Sequence, residues 1–307
     1  MPKIDVLQLS MLRPEIQAQL DARYTVHPKE DADKVAGIVR AVVTNGHSGP
    51  DPALIDKLTK LEIIGSGSVG YDGIAVDYAR SKGIPVTNTP EVLNDDVADL
   101  AIALMITTAR RLVVSDRYVR AGRWEKEGNF PLAYKASRKR VGILGMGRIG
   151  KEIAQRCVAM NSTVAYHSRK PVADVSYKHY PDLVELAKDS DFLVVIIPAT
   201  PQTDKIVSKA VIEALGPNGI LVNVARGAVV DQDALLDALT SGKLGGAGLD
   251  VFAEEPEVPD VLFGMDNVVL QPHVGSATFE TRRAMSQLVL DNLDAHFAGK
   301  PLLTEIK

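Results

Sequence analysis

The stretch "VGILGMGRIGKEIAQ", Val141 to Gln155, constrains this chain more than any other. An apolar run of strand character passes straight into glycines at 145, 147 and 150, and then into a helical pattern. Each glycine has a separate physical reason in such a strand-turn-helix: Gly145 permits the tight turn, Gly147 lets a pyrophosphate approach the backbone, and Gly150 allows helix and strand to pack closely. The amides from Met146 through Gly147 and Arg148 to Ile149 then lie at a helix N-terminus, where an anion is favoured. The spacing predicts a dinucleotide site; a merely tight βα turn is the alternative.

A fingerprint of this kind usually continues to an acid about 20 residues on, at the end of the next strand, where it bonds the ribose hydroxyls of NAD. In "VAYHSRKP" that place holds Ser168, followed by Arg169 and Lys170. A carboxylate there would repel a 2′-phosphate. A small hydroxyl leaves room, and the two cations supply charge-assisted donors. The expected cofactor is therefore NADPH/NADP+, with His167 a neighbour of the adenine or the phosphate; a solvated basic loop is the other reading.

With 307 residues, 46% hydrophobic and 24% charged, the chain is long enough for two globular domains with separate cores. A net charge of −4 gives no overall basic footprint for nucleic acid. Asp5 interrupts any apolar leader, "LAIALMITTA" is too short to span a membrane, and the single Cys157 excludes an internal disulfide or a cysteine metal cluster. No metal site is expected, and a cytoplasmic setting is the default.

Short β-branched runs alternate with helical patterns throughout, the mark of parallel α/β sheets. A first group of strands lies at 4–9, 24–27, 37–44, 61–65 and 84–87. The amphipathic segment "DDVADLAIALMITTARRLVVSDRYVRAG" follows as one long helix. A second group comprises "KRVGILG", "STVAYHS", "DFLVVIIPA", "GILVNVAR", "GAGLDVF" and "NVVLQPH", six strands that suffice for a doubly wound nucleotide domain. A last helix is expected over about Thr278 to Ala298, crossing back to the first domain.

Three strand ends of the second group each present one polar side chain: Arg226 in "NVARGAVVD", Glu255 in "GLDVFAEEP" and His273 in "QPHVGSAT". Ligands of open α/β sheets bind outside such strand ends, so the three can converge. Taken singly, His273 reads as structural and Arg226 as a surface ion pair.

Together, and with "SVGYD", "VTNTPEVLNDDVADLAIAL", "KLGGAGLDVFAEEPEVP" and "NVVLQPHVGSAT", they make the chain resemble the D-isomer-specific 2-hydroxyacid dehydrogenases over essentially its whole length. The likeness is to the branch that reduces glyoxylate, hydroxypyruvate and hydroxyphenylpyruvate with NADPH. It implies an α/β fold of two doubly wound domains: a flavodoxin-like substrate domain, 1–97 completed by 280–307, and an inserted Rossmann dinucleotide-binding domain, 98–279.

The resemblance further implies that His273 protonates the keto oxygen of a small 2-oxo acid. Glu255 is its partner, since a nearby carboxylate favours the imidazolium that can donate. Arg226 grips the substrate carboxylate and keto oxygen, the amides of Val69 and Gly70 receive the carboxylate, Asp250 contacts the nicotinamide carboxamide and Val224 lines its ring. Asn45 and Gly46 are expected at the substrate's far end. A homodimer is implied, with Phe130 of "RWEKEGNFPLAY" closing a neighbour's site; Trp124, Phe130 and Tyr134 as local packing is the alternative. His27, His47, His179, His296 and Cys157 read as structural. A corepressor-like NAD(P) sensor is the competing function, and Ser168 argues against an NAD-linked D-lactate-type dehydrogenase.

Overall fold

A computed structural model describes residues 3–307. The chain divides into two compact units, residues 1–93 with 276–307, and residues 94–275.

In the first unit the order is β1 (Ile4–Gln8), α1 (Pro14–Arg23), β2 (Tyr24–Pro28), α2 (Ala32–Val35), β3 (Ala41–Thr44), α3 (Pro52–Lys57), β4 (Ile63–Ser66), α4 (Val76–Ser81) and β5 (Val86–Thr87). The five strands lie in the order β2-β1-β3-β4-β5, all parallel, which is the flavodoxin-like winding. Neighbouring residues on one strand serve opposite faces. Val6, Val43 and Ile63 pack in one core with Ile16 and Leu20, whereas Leu7, Val42 and Ile64 pack in another with Ile55 and Ala79. That two-sided burial is why these strands read as unbroken apolar runs.

The second unit contains α5 (Asn94–Arg110), α6 (Leu112–Arg120), α7 (Arg123–Glu127), β6 (Arg140–Leu144), α8 (Arg148–Ala159), β7 (Thr163–His167), β8 (Lys178–Tyr180), α9 (Leu183–Lys188), β9 (Phe192–Val195), α10 (Lys209–Leu215), β10 (Ile220–Asn223), α11 (Gln232–Thr240), β11 (Gly246–Leu249) and β12 (Val268–Leu270). Its sheet runs β12-β11-β10-β9-β6-β7-β8, also parallel. From β8 to β11 this is the Rossmann order, with β12 added beyond it, and the winding reverses between β6 and β9.

Seven strands stand where six were expected. The additional one, β8, is "KHY" at the sheet edge; three polar or half-exposed residues carry no apolar run that periodicity could detect. The long amphipathic segment is also two helices. Arg111 takes a left-handed φ of 53°, and the Ala109 carbonyl, deprived of its helical donor, accepts from Tyr134 N at 3.0 Å. The Arg111 guanidinium bonds Asp266 at 3.2 Å and lies 5.3 Å over the Phe130 ring, contacts from distant sequence that fix the break.

The units divide four residues earlier than the sequence suggested at each crossing, at 93/94 and 275/276. The first turn of α5 already packs within the second unit: Val97 is buried there beside Gly275, and Gly275 N bonds Asp250. At the other crossing, α12 (Phe279–Phe297) carries its N-cap with it, because the Thr278 hydroxyl accepts from Thr281 N at 3.2 Å. This helix covers one face of the first sheet with Val289, Leu290 and Leu293, so the C-terminal segment completes the first unit.

Candidate active site

At the reversal of the second sheet, β6 leads into the glycine turn. Gly145 has φ +105° and its amide bonds the His167 carbonyl at 3.0 Å; a Cβ there would meet Ile196 O at 2.3 Å. A Cβ on Gly150 would lie 2.0 Å from Gly145 O, so α8 can start this close to the strand only with glycine. Gly147 is different. Its φ of −80° suits any residue, and a Cβ there meets nothing within 4 Å. Nothing inside the protein demands glycine at 147, which is what a surface left open for a pyrophosphate looks like. The first helical bond of α8 is Lys151 N to Gly147 O, so residues 148–150 present their amides at the helix start, with Met146 buried beneath and Ile149 half-buried. The turn fits a dinucleotide.

Beyond β7, Ser168 donates its hydroxyl to Lys170 O at 2.6 Å. Arg169 and Lys170 are exposed and form no ion pair among the described residues. His167 uses Nδ1 on Tyr180 O at 2.8 Å, which turns its other nitrogen away from the strand pair.

The three polar strand ends meet in part. His273 Nδ1 and Glu255 Oε2 are 2.6 Å apart, and Glu255 Oε1 accepts from Phe252 N at 3.1 Å. This fixes Nδ1–H toward the carboxylate. His273 holds a left-handed φ of 53°, secured from behind by Asp250: its carbonyl accepts His273 N at 2.8 Å, and its carboxylate accepts Val274 N and Gly275 N at 2.7 and 2.9 Å. Asp250 is buried, and desolvation raises its pKa although those two amides pull it down. It thus anchors the His273 loop and caps no helix.

Arg226 follows β10, half-buried, with Nη1 on Ala225 O at 2.7 Å. Its loop is shaped by Asn223, which sequence reasoning passed over. The Asn223 side chain is buried, donates to Arg226 O at 3.0 Å and accepts from Ala225 N at 3.0 Å. An asparagine closing an apolar strand was the available signal. Val224 is buried at the same strand end. Gly227 is required because a Cβ would fall 1.9 Å from Phe252 carbonyl atoms.

In the first unit, three peptides of the loop after β4 are held by their carbonyls. Ser68 O accepts from Thr89 N at 3.0 Å, Val69 O from Asn88 Nδ2 at 2.9 Å, and Gly70 O from Ser68 Oγ at 2.7 Å. A trans peptide points its N–H opposite to the preceding carbonyl. The amides of Val69 and Gly70 are therefore both turned away from the 88–89 segment.

Asn45 and Gly46 each help to shape the loops they belong to. Asn45 Oδ1 accepts from His47 N and Ser48 N while Nδ2 donates to Ser10 Oγ, so its side chain orders its own loop and ties it to the loop after β1. Gly46 packs closely under the loop after β4, with its Cβ position 2.0 Å from Gly70 O. Phe130 is half-buried in its own chain, edge-on to Tyr118 at 5.4 Å. No group of His, Cys, Asp and Glu among the described residues is arranged to hold a metal, and no helix there is long and apolar enough to cross a membrane.

A Rossmann-ordered unit with a glycine turn, a cation pair after its second strand and a His–Glu couple defines a nicotinamide-dinucleotide oxidoreductase site. The chain belongs to the D-isomer-specific 2-hydroxyacid dehydrogenases, whose NAD-binding domain model matches residues 102–275. It is 50% identical to a hydroxyphenylpyruvate reductase of Plectranthus scutellarioides and 49% identical to a glyoxylate/hydroxypyruvate reductase of Arabidopsis thaliana, each covering all of both chains. Among solved structures it is similar to an NADPH-dependent glyoxylate/hydroxypyruvate reductase of Sinorhizobium meliloti, in complex with NADP and malonate. That match has a TM-score of 0.94 at 41% identity, covering 99% of this chain and 97% of the other.

Proposed function

We propose that this protein reduces small 2-oxo acids, glyoxylate and hydroxypyruvate and also phenylpyruvate-type acids, to D-2-hydroxy acids with NADPH. The observation that carries the reading is the 2.6 Å His273–Glu255 couple, set in the same unit as a glycine turn followed by cations in place of an acid.

In this reading NADPH, when bound, supplies the hydride; the protein supplies geometry and electrostatics. The turn from Gly145 to Gly150, with Met146, Gly147, Arg148 and Ile149, holds the pyrophosphate, and Ser168, Arg169 and Lys170 take the 2′-phosphate. Val224 and Asp250 serve the nicotinamide end. The amides of Val69 and Gly70 receive the substrate carboxylate, and Arg226 orients the keto group and offsets charge growing on its oxygen. His273 delivers a proton from Nε2 to that oxygen, while the Glu255 carboxylate keeps Nδ1–H bonded and favours the charged ring.

A homodimer belongs to the same reading. Trp124, Leu132 and Tyr134 of the segment after α6 are 60%, 99% and 61% exposed, a concentration of apolar surface that a second copy would cover. Light scattering tests it, and a monomer at micromolar concentration refutes it. Phe130, packed on Tyr118, is the aromatic assigned to the neighbour's site. A cytosolic setting, checked by cell fractionation, completes the reading.

The deciding experiment is an absorbance assay comparing NADPH with NADH against glyoxylate, hydroxypyruvate, pyruvate and phenylpyruvate. Turnover with none of them, while NADPH still binds, would replace the enzyme with a dinucleotide sensor.

A further inference from the structure

In the edge strand β8 Lys178 is exposed, and His179 and Tyr180 are half-buried, Tyr180 against the core of the second unit. Besides its backbone pairing with β7 and the Tyr180 hydroxyl on Asp189, it takes part in two side-chain–backbone hydrogen bonds at the end of β7. Tyr180 O accepts from His167 Nδ1 at 2.8 Å, and His179 Nε2 bonds the Ser168 carbonyl at 2.9 Å. Since a carbonyl can only accept, His179 is the donor and its Nε2 carries the proton. The imidazole is held in place by its neighbours, 5.2 Å from the Tyr166 ring and stacked at 13° on His167 at 6.4 Å.

The loop from 168 to 172 is thereby tied at three points. His179 holds Ser168 O, Ser168 Oγ holds Lys170 O, and the buried Tyr166 hydroxyl accepts from Val172 N at 2.8 Å. Because Ser168 O is drawn toward β8, the N–H of Arg169 in the same trans peptide is turned the other way. The donors left facing outward from this loop are that amide, the Arg169 guanidinium and the Lys170 ammonium, with no acid paired to them among the described residues.

We propose that His179 is a positioning residue for cofactor choice: through the Ser168 carbonyl it sets the peptide that aims Arg169 and Lys170 at a 2′-phosphate. The proposal rests on the reading that these cations bind that phosphate. It gives β8 a task beyond extending the sheet, and it makes discrimination depend on a side chain that itself touches no cofactor atom.

The test uses the full chain and calorimetric binding of 2′,5′-ADP and of 5′-AMP, which differ by the 2′-phosphate. His179→Phe keeps a ring against Tyr166 and His167 but removes the donor. Losing one net hydrogen bond that orders the loop is expected to weaken 2′,5′-ADP about 3- to 10-fold and 5′-AMP less than about twofold. His179→Asn, which restores an N–H donor, is expected to recover part of the loss. Equal weakening of both ligands, or of neither, overturns the proposal. Should His179→Phe fail to give a cooperative thermal transition, His179→Leu replaces it under the same criteria. Arg169→Ala separates the two levels of the argument: if it leaves 2′,5′-ADP binding unchanged, the 2′-phosphate reading falls and the role of His179 falls with it, whereas a loss with Arg169→Ala and none with His179→Phe refutes only the latter.

Discussion

Gly147→Ala isolates the one fingerprint glycine that the protein does not need for itself. The residue's φ of −80° is ordinary, and an added Cβ finds nothing within 4 Å. As the N-cap of α8 it loses about 0.5–1 kcal/mol on replacement by alanine, and the reduced freedom of the unfolded chain returns about 0.4–1 kcal/mol. Stability should therefore change by less than about 0.5 kcal/mol, within about 2 °C in Tm. The cofactor is affected differently, because a methyl group would occupy the approach to the backbone. Overpacking of that kind costs about 1–3 kcal/mol, or about 5- to 150-fold in NADPH affinity. Gly150→Ala provides the contrast. Its Cβ would sit 2.0 Å from Gly145 O, a backbone atom that cannot yield, so thermal stability and NADPH affinity should fall together. Calorimetric titration with NADPH and a thermal melt on both variants decide the matter. NADPH affinity within about twofold of the parent for Gly147→Ala would place the pyrophosphate elsewhere and refute the reading of this turn.

His273→Ala should lower kcat about 10²- to 10⁴-fold while NADPH binding is retained, and near-normal turnover would remove this residue from the mechanism. Arg226→Ala should lower kcat and raise KM together, since the guanidinium serves both ground and transition states; an unchanged kcat/KM contradicts the assignment. Ser168→Asp combined with Arg169→Ala should move preference from NADPH toward NADH, measured as the ratio of the two kcat/KM values. Burial pushes the Cys157 thiol up to about 12. Its folded value thus lies above its unfolded one, so the thiol contributes stability that is intact below about pH 8.5 and is lost as pH rises toward 12. Iodoacetamide should accordingly leave the native protein unmodified from pH 7 to 9; rapid alkylation over that range would show that Cys157 is accessible.

The wound α/β architecture was legible because burial on both sheet faces writes itself into composition: Val6 and Leu7 serve different cores, and both must be apolar. Gly145 and Gly150 were legible because their turn tolerates no Cβ. The helix break at Arg111 was not, since a salt bridge to Asp266 and a contact with Phe130 override a helical pattern that continues unbroken through the local sequence. Nor was β8, a strand of three residues with no apolar stripe. Arg226, Glu255 and His273 stood out as polar residues at strand ends, and Asn223 could have been read the same way, but Asn88 and His179 act through backbone carbonyls of other loops, a role without a spacing signature.

By itself the sequence singled out which polar side chains stand at strand ends, because residue type and position after a strand are local properties. Only the tertiary structure decided how those groups are aimed. It set which nitrogen of His273 faces Glu255, which amides of the 68–70 loop turn outward, and what holds the loop after β7. The physical reason is common to all three. A peptide or imidazole has one donor direction, and here that direction is fixed by a partner 18, 19 or 11 residues away along the chain.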